Sequence, residues 1–377
     1  MSETLQRAFG PLWRALTGRK AYDIGLNIGM ERINLMQLQP GAAGPSILAA
    51  ASISHGSSRD ELIAQPTRLK ELIKRAFAEQ PFCGSRVVTC LPSDHVRMLL
   101  VNYTVAEGAS ESDSVIRELR ERVHEELDGM VVDYIPVRQE HPSRPKEAIV
   151  AMAARDKVTA YLDAMAAAGL EAAALDVAPA ALARLISWIQ AAETSAFPNL
   201  LMINFGSRNS YLMVVWGRRL MLDRPVEFAE QRLLARLKNI LGIAEPEGKR
   251  LLLESGFDTG ASPGEGNEIS RTLAEVLRPE FAALKAEVNK TLIYTASRTH
   301  GRSVDTIYVV GSIARYPGIE HLLREHFELP LKILDPFSIF KHRLTDKELS
   351  WLGPSSGVAA ATGLALRGVP VLWPTST

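Results

Sequence analysis

The stretch GLNIGMERINLMQL, residues 25–38, predicts two β-strands joined by a sharp turn at Gly29. A weaker copy occurs in the second half of the chain, where INFGSRNSYLMVV (203–215) aligns without gaps on LNIGMERINLMQL (26–38). The positions identical in both copies are Asn27/Asn204, Gly29/Gly206, Leu35/Leu212 and Met36/Met213. Two β-hairpins half a chain apart indicate a duplicated domain, with two turns facing one cleft.

A third glycine turn lies in DTIYVVGSIARYPGIEHLLREHFELPLKILDPF, residues 305–337. A short apolar strand ends at Gly311, Pro317 suits the start of a helix, and a second strand is predicted over 331–334. A glycine turn between a strand and a helix lets the backbone approach a nucleotide closely. The three turns together therefore indicate a nucleotide-binding type of cleft.

Length and composition limit the class of protein. The chain has 377 residues, which is too many for one core of ordinary size, so two or more domains are expected. Basic and acidic residues number 43 each, and a net charge of zero argues against a general nucleic-acid binder. Two cysteines, Cys83 and Cys90, are too few for a disulfide framework and favour a cytoplasmic location. No apolar run reaches the roughly 18 residues of a membrane-spanning helix, and no secretory signal is expected.

A basic segment that contains a tryptophan, LQRAFGPLWRALTGRK, occupies residues 5–20. Pro11 suits the first turn of a short helix and Gly18 suits its end. An amphipathic segment of this kind can lie on an anionic membrane surface. Packing on the body of the protein or on a partner is the alternative, and both interpretations stay open.

Taken together, the three glycine turns resemble the actin-like ATPase superfamily, whose members have one phosphate hairpin in each of two domains and an adenosine-side glycine turn. Within it, the chain resembles the PilM family of type IV pilus assembly proteins from about residue 20 to residue 370. Four further stretches resemble this family in order and spacing: RVVTCLPSDHVRMLLV (86–101), ELRERVHEELDGMVVDYIPV (118–137), AIVAMAARDKVTAYLDAMAAAGLEAAALDVAPAALAR (148–184) and GVAAATGLALRGV (357–369). The resemblance implies an α/β, actin-like or FtsA-like fold, with two duplicated domains facing a central cleft and an inserted α+β subdomain in the first.

Both phosphate turns depart from the family's pattern, in which an Asp ends the first strand. Asn27 and Asn204 stand at the two acidic positions, and an amide is a poorer Mg²⁺ ligand than a carboxylate. Met30 and Glu31 stand where small hydroxyl residues are typical, and Glu31 would repel a phosphate. The positions that match the nucleotide motifs form the candidate cofactor site: Asn27, Gly29, Met30, Glu31, Arg32, Asn34, Asn204, Gly206, Ser207, Arg208, Gly311 and Ser312.

These departures predict a pseudo-ATPase with no catalytic residues and no bound Mg²⁺. Binding of ATP without hydrolysis stays open, because Arg32 and Arg208 can contact phosphates directly. The turns can equally be retained only because the hairpins pack the two cores. The competing class is an enzyme, an actin-like ATPase or sugar kinase that uses Mg·ATP, and an FtsA-like filament protein is a further alternative. Of the related secretion components, MshI stays open, whereas GspL would carry a membrane-spanning helix.

Resemblance to the PilM family implies a scaffold at the cytoplasmic face of the inner membrane, held there peripherally through its partners. The family binds the cytoplasmic N-terminal peptide of the membrane protein PilN, in a groove between the first domain and the inserted subdomain. It thereby links PilN to the pilus motor and platform proteins. A groove for an extended peptide needs a strand edge and apolar pockets, and the predicted strands over 87–91 and 133–137 are the candidates for that edge.

The sequence predicts an N-terminal basic segment over 1–19 and a first actin-like domain in two parts, 20–85 and 179–198. The inserted subdomain, 86–178, lies between these two parts. The second actin-like domain covers 199–345 and is mostly helical over 235–285, and a closing helix and tail follow over 346–377. Pro279 predicts a break between two helices. The closing helix, near 356–367, is expected to pack on the first domain.

Other residues indicate little chemistry. The eight histidines show no metal-ligand spacing, since His321 and His326 lie five positions apart. Asp94 and His95 have no accompanying nucleophile motif and are expected at the surface beside a strand. Both cysteines are expected to be small buried residues.

Overall fold

The structure is a computed structural model that describes residues 21–41, 44–105, 107–123, 127–137, 145–193, 198–216, 219–257, 268–299, 301–352 and 355–370. The basic segment predicted over 5–20 lies outside the described residues, and so does the C-terminal tail from residue 371.

The first sheet contains both the first predicted hairpin and strands from much later in the chain. Its strands are β1 (Ile24–Ile28), β2 (Arg32–Gln39), β3 (Ser46–Ser54), β4 (Arg86–Cys90) and β8 (Glu171–Asp176). They pair in the order β3-β2-β1-β4-β8, in which β1 to β3 are antiparallel and β1, β4 and β8 are parallel. Nearly every residue of β1 and β2 is buried, which follows from their apolar sequences and their position inside the sheet.

The second sheet repeats this arrangement. Its strands are β9 (Asn199–Phe205), β10 (Ser210–Trp216), β11 (Arg219–Val226), β12 (Thr306–Gly311) and β13 (Leu331–Ile333). They pair in the order β11-β10-β9-β12-β13, with an antiparallel part followed by a parallel part as in the first sheet. The two sheets therefore agree with the predicted duplication of a domain that contains a hairpin.

A smaller antiparallel sheet is inserted into the first domain. Its strands are β5 (Arg97–Tyr103), β6 (Met130–Pro136) and β7 (Lys146–Ala154), paired in the order β5-β7-β6. One helix, from Glu111 to Arg122, packs its apolar face, with Val115 and Leu119, on this sheet. Apolar residues spaced every four positions lie on one face of a helix, so their spacing predicts this one-sided packing.

The helices of the described residues are α1 (Arg59–Ile63), α2 (Pro66–Glu79), α3 (Glu111–Arg122), α4 (Arg155–Ala167), α5 (Ala178–Glu193), α6 (Glu230–Leu241), α7 (Glu245–Glu254), α8 (Glu268–Arg298), α9 (Ile319–His326), α10 (Pro336–Ile339), α11 (Asp346–Leu352) and α12 (Ala359–Ala365). Local sequence sets several of their ends. Ser58 caps α1 through a capping box with Glu61, and Pro66 occupies the first turn of α2.

The inserted sheet is smaller than the predicted inserted subdomain, which spans 86–178. The strands at both ends of that range, β4 and β8, pair with β1 in the sheet of the first domain. The separate sheet runs only from Arg97 to Ala154. Parallel strands need a long crossover connection, and the inserted sheet lies within that connection between β4 and β8. The same pairing gives β4 a neighbour on both sides, so the strand edge predicted over 87–91 is wrong.

The helix break predicted at Pro279 is also wrong, because α8 runs through this residue without interruption. A proline removes one backbone donor from a helix and disturbs the turn before it. Here the guanidinium of Arg236 donates to the carbonyl oxygen of Val276 at 2.5 Å, within that disturbed turn. Leu277 and Phe281, on either side of the proline, are fully buried, so packing holds the helix together.

The closing helix packs on the first domain, where α12 lies against β1, β2, β4 and α5. The contact is so close that the facing residue of β1 must be a glycine. A Cβ atom on Gly25 would lie 1.9 Å from the carbonyl oxygen of Ala361. The end of α12 is also tied by charge, since Asp176 accepts from Arg367 at 3.0 Å and from Arg184 at 2.8 Å.

We expect Gly25→Ala to lower the free energy of unfolding by about 3 kcal/mol, because α12 must move away from β1 to accept the methyl group. Urea unfolding followed by circular dichroism measures the change. Gly129→Ala is the matched control, since a Cβ atom there has no neighbour within 4 Å. Equal stability of the two variants would contradict the close contact between α12 and β1.

Candidate functional site

A cavity of about 580 Å³ lies between the two hairpin turns, which face each other from the two domains. The structure brings all twelve residues of the predicted cofactor site to its walls: Asn27, Gly29, Met30, Glu31, Arg32, Asn34, Asn204, Gly206, Ser207, Arg208, Gly311 and Ser312. The duplication places the two hairpin turns equivalently, and Gly311 and Ser312 join them because β12 pairs with β9. Their role in binding a nucleotide stays a prediction.

The first turn is closed by bonds within its own sheet. The amide of Gly29 donates to the carbonyl oxygen of Arg32 at 2.9 Å. The guanidinium of Arg32 donates to Ser52 on β3, to its Oγ at 2.8 Å and to its carbonyl oxygen at 2.6 Å. The hydroxyl of Ser52 donates in turn to Oδ1 of Asn34 at 2.7 Å. The Gly29 amide and the Arg32 guanidinium, both natural phosphate donors, thus already have protein partners.

Asn27 lies at the end of β1 beside Cys90, whose Sγ donates to Oδ1 of Asn27 over 3.5 Å. Burial, reinforced by the carboxylate of Asp176, raises the pKa of the Cys90 thiol to about 12, so the thiol stays protonated. Cys90 is buried as expected, whereas Cys83 is only half-buried. A neutral amide beside a neutral thiol offers no charge to a metal ion.

The third turn brings β12 against the second hairpin. The amide of Ser312 donates to the carbonyl oxygen of Phe205 at 2.8 Å. Gly311 has φ +96°, and a Cβ atom there would lie 2.0 Å from the same carbonyl oxygen, so a glycine is required. The second turn is fixed from its other side, since the amide of Glu230 donates to the carbonyl oxygen of Gly206 at 3.1 Å.

The cavity wall formed by the second domain contains a buried carboxylate. The sequence pattern did not identify it. Glu230, the first residue of α6, has a side chain only 1% exposed. Its oxygens lie 3.1 Å from Nζ of Lys249 and 3.4 Å from Nη2 of Arg315, and the hydroxyl of Tyr316 donates to it. Burying a carboxylate is costly unless it is paired and hydrogen-bonded, and these three partners meet that need.

Lys249 also joins the two domains. Its Nζ lies 2.6 Å from each carboxylate oxygen of Glu31, which belongs to the first turn and therefore to the other domain. One ammonium group thus bridges Glu31 and Glu230, and we call these three residues the cleft bridge. The sequence pattern could not reveal it, because Glu31 and Lys249 are 218 positions apart. Glu31, predicted to repel a phosphate, instead binds a cation of the protein.

Positive charges from both domains also meet at the cavity. Burial lowers the pKa of Arg32, the nearby positive charge of Arg315 lowers it further, and Glu31 acts in the opposite direction. Burial, together with the Glu230 carboxylate, raises the pKa of Tyr316 above its ordinary value, so its hydroxyl remains a donor. The described residues of the cavity walls therefore carry charges of both signs, with four arginines, Arg32, Arg59, Arg208 and Arg315, and three carboxylates, Glu31, Asp94 and Glu230.

Asp94 lies exposed at the surface beside a strand, as predicted, and its carboxylate pairs with a buried cation. Its carboxylate contacts the guanidinium of Arg59, which is buried at the start of α1, and both residues line the cavity. Nε2 of His95 lies 3.5 Å from Oδ1 of Asp60. The contact between Asp94 and Arg59 joins residues 35 positions apart, so no local pattern identifies it.

The residues at the turns do not fit Mg·ATP. Mg²⁺ is bound through carboxylate and phosphate oxygens, and Asn27 and Asn204 present neutral amides. Across the part of the chain that the structure describes, no group of three His, Cys, Asp or Glu side chains is placed to hold a metal ion. The carboxylates that line the cavity, Glu31, Asp94 and Glu230, each pair with a cation of the protein.

Comparison with known families decides the classification. A profile of the family described as type IV pilus assembly protein PilM matches residues 25–369. The chain belongs to the PilM family. No curated protein sequence matches the chain significantly.

Solved structures support the same fold. A PilM–PilN type IV pilus biogenesis complex matches with a TM-score of 0.72 at 21% sequence identity, over 93% of this chain and 99% of that chain. The ethanolamine utilization protein EutJ from Carboxydothermus hydrogenoformans matches with a TM-score of 0.54 at 13% identity, over 92% of this chain and 89% of that chain. The predicted actin-like fold is confirmed.

The cleft bridge predicts a measurable coupling between the domains. We expect Glu31→Gln to lower the free energy of unfolding by about 0.5 kcal/mol, because the carboxylate is partly exposed. Lys249→Met should cost more, about 2 kcal/mol, since it also removes a partner of the buried Glu230. A double-mutant cycle by urea unfolding at pH 7 should give a coupling of about 0.5 kcal/mol.

The matched control is the cycle for Glu247 and Arg250, an exposed pair within α7 that joins no domains. It should show no measurable coupling. If the cycle of Glu31 with Lys249 also shows none, the two side chains do not meet in solution.

Proposed function

We propose that this PilM-family protein is a scaffold of type IV pilus assembly, which binds the cytoplasmic N-terminal peptide of a PilN-like membrane protein and links it to the motor and platform proteins. Family membership supports the role in pilus assembly. The match to a structure described as a PilM–PilN complex supports a partner of the PilN kind.

The observation that carries the scaffold role is the chemistry of the cleft. The two positions that would hold a metal ion are amides, and Lys249 joins the domains through two carboxylates, Glu31 and Glu230, that line the cavity. A cleft already bridged by protein charges needs no Mg·ATP to hold its two domains together. The protein is therefore a pseudo-ATPase in this proposal, and any ATP that binds does so without Mg²⁺, through Arg32 and Arg208.

The strand edge proposed for the partner peptide is that of β6. This strand is the last in the order β5-β7-β6, so no described strand pairs with its outer side. Val131, in the middle of the apolar part of β6, is 36% exposed. The guanidinium of Arg155, at the start of α4, donates to the carbonyl oxygen of Met130 at 3.2 Å. Because α4 packs on the core of the first domain, the β6 edge runs beside the junction between that domain and the inserted sheet.

The proposed location is the cytoplasmic face of the inner membrane, reached through the PilN-like partner. Within the described ranges, no helix has both the length and the apolar composition needed to cross a bilayer. The basic segment over 5–20 is proposed as an additional peripheral contact with anionic lipid.

We expect the wild-type protein to release no phosphate from Mg·ATP and to give no binding heat with it in calorimetry, because the amides do not hold the metal ion. The double variant Asn27→Asp, Asn204→Asp, with Glu31→Ser added to open the first turn, should bind Mg·ATP measurably. Phosphate release by the wild type above that of an Asn27→Ala, Asn204→Ala control would instead favour an active ATPase.

We expect Val131→Arg to weaken binding of a synthetic PilN N-terminal peptide about tenfold, because the new charge would be desolvated beside the peptide. Fluorescence anisotropy with the labelled peptide measures the affinity. Ile293→Arg is the matched control, since Ile293 is 72% exposed on α8, away from β6. An unchanged affinity in Val131→Arg would place the peptide elsewhere.

A further inference from the structure

A second cavity, of about 250 Å³, lies where the first domain, the inserted sheet and the second domain meet. Its walls are mostly apolar and include Val96 and Met98 at the start of β5, Pro179 on α5, and Met213 on β10. It shares part of its wall with the larger cavity but extends away from the cleft bridge. Of the predicted nucleotide positions only Asn204 lines it, and no residue of the proposed peptide edge does.

One carboxyl group faces this cavity without a partner. Asp223 lies on β11, and its Oδ1 is inaccessible to solvent and has no hydrogen-bond partner in the part of the chain that the structure describes. Asp223 as a residue is half-buried, and the burial of its carboxyl group alone raises its pKa to about 7. Ionisation of Asp223 in the folded protein therefore costs free energy.

Other buried acids of the protein do not share this state. Glu230 has Lys249 and Arg315, as described above. Asp176 accepts from Arg184 and Arg367, and Glu280 contacts Arg232 and Arg236. Each of these carboxylates has two cationic partners supplied by the chain. The lack of such a partner at Asp223 is thus a local property of the second cavity.

We propose that the second cavity is a binding site for the ammonium or guanidinium group of a ligand with a short apolar body, and that Asp223 is the anion that receives this group. A cavity of about 250 Å³, less than half the volume of the first, suits a short aliphatic chain that ends in a cation. The apolar walls cover the chain, and the carboxylate supplies the charge-assisted hydrogen bond that fixes its orientation.

The other charged and titratable groups around the site come from three elements. Tyr211 on β10 has a pKa raised by its burial and by the charges of Asp223 and Asp94, so its hydroxyl stays protonated, and it contacts Ser93. Arg97 on β5 lies at the exposed rim. The cation of Arg59 lies near Tyr211, on the side of the larger cavity.

The cation has two possible sources, a free organic amine or a basic side chain of a bound protein segment. Both present the same chemistry to Asp223. The site stands on its own observations and does not depend on the β6 edge, so the peptide assay with Val131→Arg and the experiments below can fail separately.

The first experiment uses n-butylammonium as the probe, followed by ligand-observed NMR titration of the whole protein at pH 8. We expect saturable binding that n-butanol, the neutral analogue, does not reproduce. Asp223→Asn should weaken it at least tenfold, and Met98→Trp should abolish it by filling the cavity while leaving the acid in place. Asp133→Asn, at an exposed acid on β6, is the matched control and should bind like the wild type.

The affinity should also depend on pH in one direction. A cation binds the ionised carboxylate, so wild-type affinity should rise about tenfold from pH 6 to pH 8, as Asp223 ionises around pH 7. The variant Asp223→Asn should show no such rise. Binding that is saturable yet independent of pH and of Asp223 would overturn the proposal.

Stability provides a second readout that needs no ligand. Because the pKa of Asp223 is raised, the folded wild type binds more protons than the unfolded chain between about pH 4 and pH 7, and this group makes stability fall as pH rises. Asp223→Asn removes that loss, so the melting temperature of the variant relative to the wild type should increase from pH 4 to pH 8. A variant less stable than the wild type at pH 8 would reveal a partner for the acid and overturn the proposal.

Competition distinguishes the two sources of the cation. The pentapeptide acetyl-Ala-Ala-Lys-Ala-Ala-amide and its norleucine analogue are each added to the butylammonium complex. Displacement by the lysine peptide alone assigns the site to a basic side chain, whereas displacement by neither peptide assigns it to a free amine. Absence of any Asp223-dependent binding of the butylammonium probe overturns both.

Discussion

The burial of a single carboxylate, Glu230, determines how the cleft is built. An ionised carboxyl group that leaves water loses several kcal/mol of solvation, which only close cations and hydrogen bonds offset. Lys249 supplies a cation from α7, while Arg315 and Tyr316 supply partners from the turn after β12. Lys249 also binds Glu31 in the first turn. The same ammonium group therefore pairs with the buried acid of the second domain and joins that domain to the first. The relative position of the two hairpins therefore depends on the charge balance around Glu230.

The same charge balance explains why amides suit the two strand ends. In a site for Mg·ATP, carboxylates and phosphates share a divalent cation, which offsets their mutual repulsion. In this cleft the cations are those of the protein, and Arg32, Arg59, Lys249 and Arg315 each contact a carboxylate or a backbone oxygen. An aspartate in place of Asn27 or Asn204 would add negative charge near Glu31 and Glu230, which in a site for Mg·ATP the divalent cation offsets. Met30 and the paired Glu31 are consistent with this arrangement, since neither has to leave room for a phosphate.

The features predicted correctly from the sequence are those that local geometry determines. A glycine turn between two apolar strands predicts a hairpin, and a repeat of that hairpin predicts two equivalent sheets, so the ten cleft residues of the hairpins could be identified together. Gly311 and Ser312 were identified through the resemblance to actin-like ATPases. The cleft bridge could not be identified, because it joins residues far apart in sequence and depends on how the domains pack. Strand order decides whether β4 has a free edge, and no local pattern in residues 86–90 reports that order. Pro279 illustrates the same limit in a helix, since Arg236, more than forty positions earlier, supplies a donor in the turn that the proline disturbs.

The second cavity and the β6 edge lie on opposite sides of one small sheet. β5 forms a wall of the cavity, β7 lies between, and β6 is two strand spacings, about 10 Å, from β5. A ligand at Asp223 would hold the start of β5 against β11 of the second domain, while Arg298 of α8 contacts Glu147 of β7, which pairs with Asn102 near the other end of β5. A ligand shifts an equilibrium only when it binds one arrangement better than another. Since the contact of Arg298 with Glu147 already holds the sheet to the second domain, occupation of the cavity would reinforce the orientation in which β6 presents its edge.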